Sequence, residues 1–76
     1  MPMIVGERVR AAREDLGISQ AEMARRLGSS KNAMNMLELG QVCNPRASRV
    51  IGLARLLRVT TDYLLGMDTT EEGEHA

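Results

Sequence analysis

The stretch Gln20–Leu39, QAEMARRLGSSKNAMNMLEL, decides the fold of this chain. Apolar residues recur in it at helical spacing, in one set before Gly28 and in a second set after it. The first set is Ala21, Met23, Ala24 and Leu27, and the second is Met34 and Leu37. Gly28 suits a helix end with positive φ because it has no Cβ. The spacing predicts two short helices joined by a tight turn, with Ala24 small enough to allow a close crossing.

Polar residues mark the start of both helices. Ser19 and Glu22 have the spacing of a capping box, in which the Ser19 hydroxyl accepts from the Glu22 amide and the Glu22 carboxylate reaches back to Ser19. Ser30 is placed to cap the second helix. We therefore expect the first helix of the pair over Gln20–Leu27 and the second over Lys31–Leu39.

Another helix is predicted before this pair. Its apolar residues are separated by four, three and four positions: Val5, Val9, Ala12 and Leu16. Gly17 follows as a stop signal. Because all four residues share one face of a helix, the pattern predicts that this face packs against the rest of the domain.

Two further helices are predicted after the pair. The fourth begins with Asn44 as its cap and Pro45 as its first residue. The residues that it turns inward are Val50, Leu53, Ala54 and Leu57. The fifth is short, runs through Leu65, and is capped by one of two threonines, Thr60 or Thr61.

Together these elements form a helix-turn-helix pattern. Roughly Gly6 to Gly66 resembles the DNA-binding domain of the Cro/CI-type, or Xre, family of phage-repressor-like transcriptional regulators. The residues that carry the resemblance are Arg13, Ser19-Gln20, Met23-Ala24, Leu27-Gly28, Met34, Leu37-Glu38, Gly40, Asn44-Pro45, Leu53-Ala54, Val59 and Asp62 to Gly66. The resemblance implies an all-α, compact, five-helix, lambda-repressor-like domain over residues 1–66, with helices 2 and 3 as the helix-turn-helix.

The resemblance also implies a function. A domain of this kind is expected to be a sequence-specific, double-stranded-DNA-binding transcriptional regulator, and we expect a repressor. It would bind a palindromic operator as a homodimer, with helix 3 in the major groove. In the family, the fifth-helix region and the loop before the fourth helix often form the two-fold contact of the dimer.

The charge distribution is compatible with DNA binding although the formal net charge is zero. Residues 1–66 contain all ten Arg and Lys residues and six acidic residues, which leaves +4 on the predicted domain. Asp68, Glu71, Glu72 and Glu74 place −4 on the last residues. Residues 67–76 are acidic and polar without helical periodicity, so we expect a disordered tail. A moderately basic domain attracts phosphates modestly.

The composition argues against other classes of protein. One histidine, His75, and one cysteine, Cys43, leave no nucleophile–base pair and no set of metal ligands. We expect no enzyme, no catalytic residue, no metal and no cofactor, and an inert Cys43 rather than a redox switch. The sequence has no 18-residue apolar run and no signal peptide, so we expect a cytoplasmic protein that does not span a membrane.

The predicted third helix exposes the candidate base-reading residues. By position in the resembling family these are Lys31, Asn32 and Met36, and Asn35 lies beside them. Lys31 can donate to guanine, Asn32 or Asn35 can pair with adenine, and Met36 can pack on a thymine methyl group. Met36 and Leu39 stand where polar or basic residues are common, which leaves a second interpretation open. The domain would then be a protein-interaction module, such as an antitoxin or an adaptor, that docks a protein partner through this face.

Contacts to the DNA backbone and one ion pair complete the candidate site. The candidate phosphate ligands are Gln20, Ser30, Arg46 and Arg49. Gln20 could instead be only a favourable first-turn residue, and the two arginines could be solvated charges. In the resembling family, an arginine at the position of Arg13 pairs with the glutamate at the position of Glu38. Independently, Glu38 lies beside the apolar face of its helix and needs a cationic partner, unless both charges are simply solvated.

Overall fold

The structure, a computed structural model, describes residues 4–42 and 45–67. Within these ranges it contains helices and no strand. The helices are α1 (Gly6–Asp15), α2 (Gln20–Leu27), α3 (Lys31–Glu38), α4 (Ala47–Leu57) and α5 (Thr61–Leu64). This architecture confirms the predicted all-α, five-helix fold with α2 and α3 as the helix-turn-helix.

A single aliphatic core holds the helices together. Its buried residues are Ile4, Val9, Ala12, Met23, Ala24, Met34, Leu37, Val50, Leu53, Ala54, Leu57 and Leu64. Met23 and Met34 are completely buried, one in each helix of the helix-turn-helix. Methionine has three rotatable bonds and fills irregular space, which suits a core without Phe or Trp.

The serine caps and the glycine turn predicted between the two helices are present in the structure. The hydroxyls of Ser19 and Ser30 each accept a bond from the amide three residues later, at 3.0 Å. Gly28 has a φ of 65°, and the amide that follows it donates to the carbonyl of Ala24. The second half of the predicted capping box does not form, because the Glu22 carboxylate instead accepts from Arg25 and Arg26 on the following turn.

The predicted inward faces are partly wrong. Val5 is 36% exposed and Leu16 is 40% exposed, since they are the residues flanking α1 and not members of it. Ala21 is also exposed. The Val5 amide donates to the carbonyl of Leu64 at 2.7 Å, so α5 fixes the chain where α1 begins.

The predicted start of α4 is wrong by two residues. The helix begins at Ala47, with Arg46 in extended conformation as its N-cap and no side-chain capping bond. The Arg46 carbonyl is the first to accept helical bonds, from the amides of Arg49 and Val50, which places Pro45 before the helix. The predicted cap, Asn44, lies outside the described residues.

The ends of the other helices agree to within one residue. α3 ends at Glu38 and not at Leu39, which is its C-cap. α5 is capped by Thr60, whose hydroxyl accepts from the Tyr63 amide, and it ends at Leu64.

Two helical glycines lie where helices contact each other. A Cβ on Gly6 would overlap the backbone carbonyl oxygens of Leu37 and Glu38, so α1 lies directly against the end of α3. A Cβ on Gly52 would lie 3.4 Å from the Leu27 side chain, where α4 meets α2. The sequence pattern explained neither position, because both depend on contacts between helices that are distant in the chain.

Candidate nucleic-acid interface

The base-reading candidates form one surface on α3. Lys31, Asn32, Asn35 and Met36 are all exposed, whereas Met34 and Leu37 face the core. Positions 31, 32, 35 and 36 are neighbours on a helix of 3.6 residues per turn. The Asn32 amide nitrogen lies 3.9 Å from the Met36 sulfur, a weak contact within this surface. The helix therefore presents donors, acceptors and one apolar group together.

Arg13 and Glu38 meet in a largely buried ion pair. Arg13 Nε donates to Glu38 Oε2 at 2.6 Å and Arg13 Nη2 donates to Oε1 at 3.1 Å. The side chains are 12% and 4% exposed. Arg13 Nη1 also donates to the carbonyl of Ile18 at 2.9 Å, ahead of α2. One guanidinium group thus connects α1, the start of α2 and the end of α3.

The pair keeps Glu38 ionised. Burial opposes ionisation, but the hydrogen bonds from Arg13 and Gln20 outweigh it and hold the pKa of Glu38 below its ordinary value. The hydrogen bond to Glu38 likewise raises the pKa of Arg13. A carboxylate that remains charged is an acceptor only, which constrains every group that contacts it.

Gln20 lies at the junction between this pair and the α3 surface. Its Nε2 donates to Glu38 Oε1 at 2.9 Å and lies 3.4 Å from Asn35 Oδ1. These contacts span 18 and 15 residues of sequence, so no local spacing signalled them. The first residue of α2 therefore contacts the recognition surface, besides lying at a helix N-terminus that favours a phosphate.

The other phosphate candidates lie in different environments. Ser30 and Arg46 are exposed at the N-caps of α3 and α4. Arg49 is half-buried, and its Nη1 is buried without a hydrogen-bond partner among the described residues. It lines an open cleft of about 680 Å³ between α2, α3 and α4, together with Arg26 and Arg46. Thus the exposed Arg46 is open to a phosphate approaching the surface, whereas Arg49 is half-buried in the cleft that both residues line.

Among the described residues, two of the exposed apolar regions bear on binding. Met36 is 38% exposed and Leu39 is 61% exposed, beside the α3 surface. Away from it, a shallow apolar hollow of about 310 Å³ lies between the start of α4 and α5. Its lining residues are Pro45, Ala47, Val50, Ile51, Thr61 and Leu65. Ile51 there is 43% exposed.

Some predictions concern residues that the structure does not describe. These are the roles of Cys43 and His75 and the disordered tail beyond Met67. Among residues 4–42 and 45–67, no group of three or more His, Cys, Asp or Glu side chains could hold a metal ion. No helix in the same ranges has the length and apolar character needed to cross a bilayer.

Comparison with known proteins matches this geometry to one family. The profile of a helix-turn-helix domain family covers residues 6–66. Repressor protein C2 of Salmonella phage P22 is 32% identical over 68 residues, which are 90% of this chain and 31% of that protein. The transcriptional regulator ImmR of Bacillus subtilis (strain 168) is 35% identical over 66 residues, which are 87% of this chain and 51% of that protein. The chain thus spans between about a third and about half of these relatives.

A solved structure agrees in fold. The P22 c2 repressor, crystallised with a synthetic operator, superposes with a TM-score of 0.77 at 34% identity, covering 86% of this chain and 97% of that one. The five helices of the structure and the family profile therefore agree over the same residues. The chain belongs to the helix-turn-helix domain family, in its Cro/CI (Xre) type.

Proposed function

We propose that this protein is a transcriptional repressor that binds a palindromic double-stranded DNA operator as a homodimer in the cytoplasm, with α3 in the major groove. The observation that carries the proposal is the superposition with a repressor that was crystallised in complex with a synthetic operator, over 86% of this chain. In support, α3 exposes polar side chains of the type that read base edges.

The proposed contacts divide into two classes. Lys31, Asn32, Asn35 and Met36 read bases, because they share the exposed face of α3. Gln20 through its backbone N–H, Ser30 and Arg46 bind phosphates from the ends of α2, α3 and α4, where helix N-termini attract anions. Arg49 reaches a phosphate only through the cleft in which it lies.

The hollow between α4 and α5 is the proposed dimer contact. Its lining is mostly apolar and includes the exposed Ile51, which would be covered by a second copy of the chain. A two-fold arrangement of such small domains would place the two α3 helices about one helical turn of DNA apart.

A second function has one observation in its favour. Met36 and Leu39 expose apolar surface beside the recognition residues, which would suit docking of a protein partner. The family and the operator-bound relative support DNA as the ligand instead. Protein docking is therefore the function to test next if the selection of bound duplexes recovers no preferred sequence.

The decisive experiment selects bound duplexes from a random-sequence pool at moderate salt. We expect an inverted repeat with half-sites about one helical turn apart. The selected duplex is then titrated at several salt concentrations with Arg46→Ala, and with Arg55→Ala as a control, since Arg55 is an exposed arginine of α4, the helix that follows Arg46. Arg46→Ala should reduce the salt slope by about one, and Arg55→Ala should leave it unchanged. Recovery of unselected DNA would contradict the proposal.

A further inference from the structure

The four-residue network Arg13–Glu38–Gln20–Asn35 runs from the inside of the domain to the α3 surface. Each of its contacts is within hydrogen-bond distance, from 2.6 Å at Arg13 to 3.4 Å at Asn35. From this network we infer that Asn35 presents its amide nitrogen, a hydrogen-bond donor, to DNA, and therefore selects guanine over adenine in the base that it contacts. This inference rests on the proposed DNA-binding function and deepens it.

The first step is the orientation of the Gln20 amide. The Glu38 carboxylate accepts two hydrogen bonds from Arg13. Because it is ionised, it can only accept hydrogen bonds. If the Gln20 amide were reversed, its carbonyl oxygen would face that carboxylate, and two acceptors would repel each other. Gln20 must therefore present Nε2 to Glu38, as it does at 2.9 Å.

The second step is the orientation of the Asn35 amide. The Gln20 Nε2 group carries two protons, of which one is given to Glu38. Its remaining proton points to Asn35 and can be received only by the carbonyl oxygen Oδ1, at 3.4 Å. Asn35 then turns Nδ2 outward, and no hydrogen bond engages Nδ2 within the described residues.

The third step is what this orientation does to base reading. An asparagine that pairs with adenine uses both ends of its amide, accepting from N6 and donating to N7. Because Oδ1 is turned towards Gln20, the group that faces the DNA is Nδ2, and guanine offers two acceptors to its protons, O6 and N7. Asn35 therefore favours guanine by about three- to tenfold over adenine, the size expected from one hydrogen bond.

Asn32 provides a matched control on the same helix. It has the same side chain and is exposed on the same surface, but its carbonyl oxygen accepts no hydrogen bond from the described residues. Its amide nitrogen makes only the weak contact with the Met36 sulfur. Asn32 can therefore rotate to use both ends of its amide, and its base preference should not depend on Gln20 or Glu38.

The test measures base preference with the selected operator. Asn35→Ala and Asn32→Ala first identify the base pair that each residue reads, as the position where preference is lost. Affinities for duplexes with guanine or adenine at these positions are then measured with Gln20→Met and Glu38→Gln. Ratios of affinities are compared, so that any uniform loss of affinity in a variant cancels.

At the Asn35 position, we expect the wild-type protein to favour guanine and both variants to bring the ratio to one or reverse it. At the Asn32 position the ratio should stay constant. A wild-type preference for adenine at the Asn35 position, an unchanged ratio in the variants, or no position that depends on Asn35 would each overturn the inference while leaving DNA binding intact.

A measurement on the free protein separates this inference from the proposed function. The side-chain amide protons of Gln20 should exchange slowly with water in nuclear magnetic resonance spectra, whereas those of Asn35 and Asn32 should exchange freely. Gln20→Met should leave the Asn35 exchange rate unchanged, because Nδ2 already faces water. Slow exchange of the Asn35 protons would show that Nδ2 faces inward and would overturn the inference, whether or not the protein binds DNA.

Discussion

At the scale of single residues, the Arg13–Glu38 pair is a contact whose loss should strongly destabilise the protein. Arg13→Ala leaves the Glu38 carboxylate, only 4% exposed, without its cation. Removing one partner of such a buried pair destabilises a protein by about 3–5 kcal/mol. We expect a loss near the lower figure, because Gln20 still donates to Glu38. Urea unfolding followed by circular dichroism measures it.

The exposed pair Arg10–Glu14 is the control for this prediction. It has the same chemistry at 3.1 Å, but its side chains are 64% and 54% exposed. Solvent screening leaves such a pair at most about 1 kcal/mol. If Arg10→Ala and Arg13→Ala cost the same, burial would not be what makes the inner pair important.

The same carboxylate makes stability depend on pH. The pKa of Glu38 is lower in the folded protein than its ordinary value of 4.5, so the folded state binds this proton less readily than the unfolded state. The stabilisation is therefore complete above pH 4.5 and is lost as the pH falls through the folded pKa. Glu38→Gln should flatten the acid limb of the stability profile, measured by urea unfolding at a series of pH values. An unchanged acid limb would contradict this assignment.

At the scale of helices, substitution by alanine should change the stability of the protein in opposite directions at the two helical glycines. Gly6→Ala pushes a methyl group into the backbone at the end of α3 and should destabilise the protein by about 1–3 kcal/mol. Gly52→Ala meets only the flexible end of Leu27, at 3.4 Å, so the gain in helix propensity should stabilise it by up to about 1 kcal/mol. Thermal unfolding of both variants measures the difference, and equal signs would disprove the packing explanation.

The sequence predicted the start of a helix correctly where the interaction that fixes that start is local. Ser19, Ser30 and Thr60 cap their helices through the amide three residues ahead, so each signal lies within one turn. The apolar pattern gave a wrong prediction of burial where the position of a residue depends on an element distant in the chain. Val5 is fixed by α5, more than fifty residues away, and no spacing within the first helix could have indicated that it is exposed.

The candidate site likewise has one part that the sequence predicted and one part that it did not. Helical periodicity identified the exposed face of α3, because alternation between core and solvent is a property of one helix. The hydrogen bonds of Gln20 to Glu38 and Asn35 depend on how closely α2 crosses α3. The same holds for the cleft around Arg49, which exists only once three helices have packed.

At the scale of the whole molecule, the palindromic operator that we propose requires two copies of the chain to associate, so the hollow between α4 and α5 should control binding. Ile51→Gln removes apolar surface there without changing the charge. In a two-fold contact each copy contributes one Ile51, so the buried apolar surface is lost twice. The affinity for the full palindrome should therefore fall at least about tenfold. Affinity for an isolated half-site should not change, because Ile51 lies away from α3. Titration of both duplexes by fluorescence anisotropy measures this difference.

The control for the dimer prediction is Leu16→Gln. Leu16 is 40% exposed and Ile51 is 43% exposed, so the two substitutions remove similar accessible surface, but Leu16 follows α1, outside the hollow. It should leave both affinities unchanged. Sedimentation with the palindrome then distinguishes the explanations, since Ile51→Gln should yield complexes with one protein copy at concentrations where the wild type yields two. If both variants bound the palindrome like the wild type, the two copies would meet through another surface.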